Sequence, residues 1–468
     1  MHTFIKKLAQ FSIGPFLGAF ISFITIPLTT YFISPEEYGK ASLFMVVQVL
    51  LTAYLYLGID QAYTREYNGV KNKVALLQNA LVIPMGMAMI LTVIFFLNIS
   101  HISLLLWKDA NQYWPIILLI LSMYGMIFER FLLLLIRMEE RALQYSFFTV
   151  LIKIIVLLLT LGILLLWRRD FLAVIYGTVG GQLCADVILL FIFKNRLAFC
   201  WKYFDRNLIK KMFSFGIPIF IAFSLEGTFT VMDRIALKVF SDFEEVGLYT
   251  VALKVASLMK IFQSSFTSFW VPTAYRWFEE KKPIYYFQKI SDLVAIVFSI
   301  FFVVAMLFKN SIPLLFTENY YDIVYIIPYL LIVPVFYTIS ETTTLGIVFT
   351  RKTKLNIWVS VTVIIVNSIG IYFFVPMFGA KGAALSTGLA YFTYYCMRTF
   401  FSLKVWPGLK VKFQLSILVI ILVNAGCNTF LESNVWIING LCLAFLLGVL
   451  MLYIYQLNKN KSLQFLRL

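Results

Sequence analysis

Long apolar stretches alternate along the whole chain with short polar connections. The apolar windows run at 9–33, 41–58, 75–99, 113–136, 144–166, 171–193, 212–240, 246–270, 289–309, 323–349, 355–376, 382–403, 413–430 and 435–456. Crossing the hydrocarbon of a bilayer as a helix takes about 20 apolar residues, so the pattern predicts fourteen transmembrane helices. Asn424, Asn428 and Asn439 weaken the last two windows. Without that pair the chain would have twelve spans.

The charges sort themselves around these windows. With the connections numbered alternately from an inside N-terminus, one side holds 27 of the 39 basic residues, from Lys6 and Lys7 through the Lys194–Lys211 cluster and Arg398 to Lys459, Lys461 and Arg467. The other side holds seven: Lys40, Lys108, Arg168, Arg169, Lys238, Lys309 and Lys381. Lys and Arg concentrate in cytoplasmic loops, which predicts both termini in the cytoplasm. The composition agrees, with 61% hydrophobic and 13% charged residues. A soluble domain has about 45–50% apolar and about 25% charged residues, so an ordinary water-soluble enzyme is excluded. The net charge of +16 belongs to topology and not to nucleic-acid binding, because the basic residues sit between apolar runs.

Other chemistry is scarce. Cys184, Cys200, Cys396, Cys427 and Cys442 are odd in number and lack metal-like spacing, and His2 and His101 cannot complete a zinc site with them. No metal or cofactor is expected. The run that follows Lys6 and Lys7 and reaches Ile33 is too long for a signal-peptide core and lacks a small-residue cleavage site, so it reads as a retained first span. All connections are short, which argues against polytopic glycosyltransferases and ligases that need a sizeable extramembrane module.

The start of the seventh window echoes the first. Phe11-Ser12-Ile13-Gly14 overlays Phe213-Ser214-Phe215-Gly216 at an offset of 202, and Glu36-Glu37-Tyr38-Gly39 overlays Glu244-Glu245-Val246-Gly247 at an offset of 208. Six spans separate the copies, so both enter the membrane in the same direction. The predicted fold is an all-α polytopic membrane protein of two six-helix lobes, related by a pseudo-two-fold axis along the membrane normal, plus two C-terminal helices. Its divisions are an N-lobe at 1–194, a cytoplasmic interfacial linker at 195–211, a C-lobe at 212–404, and the last two spans with a tail at 405–468. The linker mixes Trp201, Tyr203, Phe204, Leu208 and Ile209 with Lys202, Arg206, Lys210 and Lys211, a composition suited to a helix lying in the interface and contacting membrane lipids. Parallel repeats of this kind are one known transporter plan, with substrate between the lobes and access alternating as they rock.

The opening Gly14-Pro15 span, followed by Ser34-Pro35-Glu36-Glu37-Tyr38-Gly39, resembles the oligosaccharide flippases of bacterial polysaccharide and O-antigen biosynthesis. Gly58-Ile59-Asp60-Gln61-Ala62-Tyr63-Thr64-Arg65-Glu66-Tyr67 resembles the end of their second span. These flippases belong to the multidrug/oligosaccharidyl-lipid/polysaccharide exporter superfamily. The resemblance implies an undecaprenyl-diphosphate-linked oligosaccharide as substrate, moved from the cytoplasmic to the periplasmic leaflet of the bacterial inner membrane, with polysaccharide polymerase machinery as a neighbour and no covalent chemistry. Lipopolysaccharide assembly would be the setting.

Charges inside spans are expensive and face one another or a wet cavity. Here they are Arg130, Lys153, Arg234, Lys254 and Lys260 against Glu129, Asp186, Glu226, Asp233 and Glu341. A diphosphate needs cationic partners, so Arg234 and Lys254, with Lys260, Arg130 and Lys153, are the candidate substrate-binding residues. Lys254 and Lys260 map through the repeat onto Val46 and Thr52, which makes this polarity particular to the second lobe. Six residues apart, those two lysines point about 120° away from each other on an undistorted helix. Glu226, Asp233 and Glu341 are candidates for carrying a coupling ion. Asp60, Arg65 and Glu66, at the rim after the second span, are candidates for a gate or headgroup entry contact, with Tyr63 and Tyr67 as stacking faces. Two rivals stand beside this reading: a cation-coupled multidrug antiporter on the same fold, and a membrane-embedded polymerase or acyltransferase, which the short loops and few histidines disfavour.

Overall fold

The structure is a computed structural model that describes residues 2–197, 200–352, 354–431 and 433–459. The end of the basic tail, with Lys461 and Arg467, lies outside the described residues. Among the described residues the secondary structure is entirely helical. A lipid solvent leads to that outcome, because a helix satisfies its own backbone hydrogen bonds where no water can. The chain divides into two compact units, Met1–Ile235 and Ala236–Leu468.

The first unit contains α1 (His2–Thr30), α2 (Pro35–Tyr56), α3 (Ile59–Glu66), α4 (Lys73–Leu97), α5 (Ile99–Trp107), α6 (Tyr113–Met138), α7 (Ala142–Leu166) and α8 (Phe171–Leu197). Most of α9 (Arg206–Phe240) belongs to it as well. Helix α7 packs on α1 and α8, while α6 packs on α4 and α8. Small residues permit the closest of these approaches. A methyl group on Gly177 would stand 2.4 Å from the Thr160 Cα, and the Gly14 N–H donates to Ser146 Oγ at 3.0 Å.

The second unit contains α10 (Phe243–Ala256), α11 (Met259–Glu279), α12 (Ile284–Leu307), α13 (Ile323–Thr343), α14 (Leu345–Phe349), α15 (Leu355–Val405), α16 (Lys412–Phe430) and α17 (Val435–Lys459). Helix α13 is buried along nearly its whole length and is the core of this unit. It packs against α10, α11, α12, α15 and α16.

Twelve helices among the described residues are long and apolar enough to cross a membrane. The difference from fourteen has two local causes. Helix α15, 51 residues long, is two helices meeting at Gly379, whose φ of 55° and ψ of −130° are not helical. At 1.5 Å per residue it would measure about 76 Å if straight, more than twice the hydrocarbon thickness. The window at 246–270 is instead divided between α10 and α11. There Ser257 and Leu258 interrupt the helix, and the Lys260 N–H bonds to the Ser257 carbonyl.

The segment 195–211 departs from an interfacial helix. Helix α8 continues to Leu197, Trp201–Tyr203 forms a single 3-10 turn, and α9 begins at Arg206. Side chains from the start of α4 hold the described part of this connection: Gln78 bonds both backbone groups of Cys200, Asn79 donates to the Tyr203 carbonyl, and the Asp205 N–H donates back to Asn79. Asp205 then caps α9 by accepting from the N–H groups of Asn207 and Leu208.

The asparagines that weaken the last two windows hold those helices together. Asn424 and Asn428 on α16 bond Asn439 on α17 at 2.8–3.0 Å. The Lys309 ammonium donates to the Asn428 carbonyl.

Candidate functional site

Helices α2 and α3 are separated by Leu57 and Gly58, both in the left-handed region at φ 46° and 72°. Gly58 is required there, since a methyl group on it would meet the Gly216 carbonyl oxygen at 2.4 Å. The resulting bend turns Asp60 inward, where it is buried. Arg130 on α6 reaches it with Nη2 at 2.6 Å and Nε at 3.2 Å, both on Oδ2. The Gln61 amide donates to the same oxygen at 3.0 Å, and Oδ1 has no protein partner. A residue expected at the substrate and a residue expected at a gate thus form one ion pair.

Next to this pair, Glu129 accepts from the Gln182 amide at 3.0 Å, and the Lys153 charge acts on it. Tyr56, Glu129, Arg130, Arg137, Tyr145 and Gln182 line a cavity of 230 Å³. Asp186, one helical turn beyond Gln182, is 2% exposed and packs so closely on α6 that a methyl group on Gly125 would stand 2.4 Å from Oδ2. Neither carboxylate oxygen of Asp186 has a protein hydrogen-bond partner. At the rim of this unit Arg65 lies over the Phe215 ring at 4.3 Å, and Glu66 binds Lys211 at 2.5 Å. Tyr63 is buried edge-on between Tyr67 and Phe131, so its ring is filled by packing.

On α9 the expected common face of Glu226, Thr230 and Asp233 divides by burial. Glu226 and Thr230 are exposed, whereas Asp233 and Arg234 are buried. Arg234 donates to the Thr230 carbonyl at 3.2 Å. Lys254 is half-buried at the end of α10, and Lys260 is exposed at the start of α11. The interruption between them removes the fixed angle that a continuous helix would impose.

In the second unit, Arg398 binds Glu341 Oε1 through Nη1 at 2.7 Å, and the same nitrogen donates to Ser340 Oγ at 2.8 Å. Both ionised residues are 8% exposed. The guanidinium also lies 4.9 Å and 5.7 Å from the Tyr394 and Tyr337 rings, which stack on each other. Arg398, expected with the basic residues of a cytoplasmic connection, is instead a buried charge of α15. Its signal was present in the sequence as a lone arginine in an aromatic stretch with Glu341 unpaired, but the window edge fell too near to separate loop from helix. Asp186 and Gln182 carried a signal too, two polar residues four apart on an otherwise apolar helix.

This arrangement of twelve apolar helices among the described residues, with buried charge in each of two units, defines a multi-pass membrane protein. The chain belongs to the polysaccharide biosynthesis protein family, whose model matches residues 4–278. It is similar to the lipid II flippase MurJ in an inward closed conformation, with a TM-score of 0.73 and 16% identity over 95% of this chain and 98% of that one. It is also similar to a multidrug resistance MATE family transporter in its inward-facing conformation, with a TM-score of 0.64 and 13% identity over 88% of this chain and 99% of that one. An outward-facing MATE transporter matches with a TM-score of 0.57 and 16% identity over 88% and 96%. No curated protein matches the sequence.

Proposed function

We propose that this protein is a flippase that turns undecaprenyl-diphosphate-linked oligosaccharide repeat units from the cytoplasmic to the periplasmic leaflet by ion-coupled alternating access, and makes or breaks no covalent bond. The observation that carries the reading is the polysaccharide-biosynthesis family match over residues 4–278. Fold likeness to a lipid II flippase supports it. The half-exposed guanidinium of Arg130 beside a membrane-embedded cavity supplies chemistry a diphosphate would use. In this reading Arg234 and Lys254 bind the diphosphate with help from Lys260, Arg130 and Lys153; Glu226, Asp233 and Glu341 serve ion coupling; Asp60, Arg65 and Glu66 form an entry gate. The N-terminal and C-terminal six-span lobes rock against each other, both termini lie in the cytoplasm, and the membrane is the bacterial inner membrane. O-antigen repeat units of lipopolysaccharide are the substrate class the resemblance favours.

The test is translocation of lipid-linked oligosaccharide by the full chain in proteoliposomes, with surface glycan assembly as the cellular readout. Alanine at both Arg234 and Lys254 should abolish glycan assembly while membrane levels stay normal. Full complementation by that double variant would remove these two residues from the substrate site. Transport indifferent to both pH and sodium gradients would remove the coupling. The likeness to MATE transporters favours multidrug antiport as the second reading; export of cationic drugs without movement of the oligosaccharide lipid would establish it instead.

A further inference from the structure

Three carboxylates and two cations meet in the first unit: Asp60, Glu129 and Asp186 against Arg130 and Lys153. Asp60 has Arg130 and the Gln61 amide. Glu129 has the Gln182 amide and the nearby Lys153 charge. With all five ionised the cluster carries one uncompensated negative charge, and the residue left without a partner is Asp186, 2% exposed with both oxygens unbonded. Isolating an ionised carboxylate from water and from donors costs several kcal/mol. Uptake of one cation removes that penalty and makes the cluster neutral.

We propose that Asp186, backed by Glu129, is a proton-binding site within the first unit. The elements packed against α8 carry Glu129, Arg130 and, two turns further on, Arg137 on α6, Lys153 and Tyr145 on α7, and Tyr56 on α2; of these, Glu129 and Tyr56 act on Asp186 itself. Asp60 from α3 joins through Arg130. At their far ends α2 also carries Glu36, Glu37 and Lys40, and the only charged residue of α4 is Lys73 at its start. Among the described residues no third His, Cys, Asp or Glu joins Glu129 and Asp186 in a metal-holding group, so the ligand set suits a proton better than a multiply coordinated metal ion. The proton comes from hydronium in the cavity that Glu129 and Gln182 line, passes to one oxygen of the Asp186 carboxylate one turn beyond Gln182, and leaves water behind, with no other bond broken. The site stands on this unit's own geometry. Its use to drive export rests on the flippase reading above.

Infrared difference spectroscopy of the full chain in lipid vesicles, between acidic and alkaline buffer, tests this. The carbonyl band of a protonated buried carboxyl should appear at acidic pH, disappear in Asp186→Asn, and be indifferent to sodium at constant pH. Incorporating heavy-isotope aspartate into the native sequence should shift the same band, which reads the site without any substitution. A band that persists unchanged in Asp186→Asn, or that fails to shift with labelled aspartate, overturns the proposal. So does a band that sodium abolishes at constant pH, which would make this a sodium site. A native chain that moves no lipid-linked oligosaccharide would defeat the flippase reading while leaving the band in place, so the two failures are distinct.

Discussion

The Glu341–Arg398 pair shows how a buried charge in this protein is kept. Either residue alone, 8% exposed among apolar helices, would be an isolated ion; together, with Ser340 and two tyrosine rings, they neutralise and solvate each other. Removing one partner of a buried pair leaves the other uncompensated, at about 3–5 kcal/mol. Glu341→Ala should therefore lower the thermal unfolding temperature of the detergent-purified chain sharply, and a second change, Arg398→Met, should restore most of it. A double variant no more stable than Glu341→Ala would show that the pair is not what holds these side chains. This residue also marks the limit of sequence reasoning. Glu341 stood out as a carboxylate inside a span, but its partner sits 57 positions away, and no local pattern announces a contact of that separation. Asp60 and Arg130 were both singled out, for different roles, and 70 residues of chain hid that they touch.

Elements were more legible than contacts, because hydrophobic length is a local property and pairing is not. The fourteen apolar windows locate the helices, and the Gly/Pro-marked turns locate their ends. What the windows could not give is the path of the backbone between them. Gly58 is the clearest case: read in the sequence as part of a family-like stretch, it proves to be the point where α2 and α3 bend against Gly216 on α9. Its φ of 72° penalises any residue with a side chain by roughly 1–2 kcal/mol. The 2.4 Å approach to the Gly216 carbonyl adds a clash between two backbones that neither can relieve by rotating a side chain. Gly58→Ala should thus push α9 away from the α2–α3 bend, lower stability by more than the backbone term alone, and impair glycan assembly through displacement of Asp60 from Arg130. Wild-type unfolding temperature and wild-type assembly in this variant would show that the close approach is dispensable. The continuous span expected at 246–270 failed for a related reason: the helix interruption at Ser257–Leu258 alters backbone geometry while leaving hydropathy almost unchanged, whereas the windows at 355–376 and 382–403 are the two halves of α15 on either side of Gly379.

At the scale of the whole molecule, the repeat seen in the sequence reappears as a repeated contact. In the first unit Glu37, in the acidic turn that opens α2, accepts the Phe171 N–H at the start of α8 through Oε2 at 2.8 Å. In the second, Glu245, in the matching turn that opens α10, accepts the Ala380 N–H through Oε2 at 2.7 Å, where the second half of α15 begins. Each carboxylate occupies the N-terminus of the sixth expected span of its half, where free N–H groups and the helix dipole favour an anion. The turns themselves are capped alike, by Ser34 accepting from the Glu37 N–H and Asp242 from the Glu245 N–H. Sequence offset alone could propose this correspondence, and a shared hydrogen bond gives it a structural reason to persist. In the second unit the bond also constrains its neighbour: Gly379 has a φ of 55°, and a methyl group there would stand 2.7 Å from the Glu245 carboxyl carbon. A hydrogen bond to a charged group contributes about 1.5–3 kcal/mol, so Glu37→Gln and Glu245→Gln should each lower stability by a similar fraction of that amount, since the amide keeps an oxygen acceptor and loses only the charge. Each contact is internal to its own unit, so the two losses should add to within about 0.5 kcal/mol in the double variant. Unfolding of the three variants in one detergent measures this directly, and a large loss from one substitution beside none from the other would mean that the two turns share a sequence but not a task.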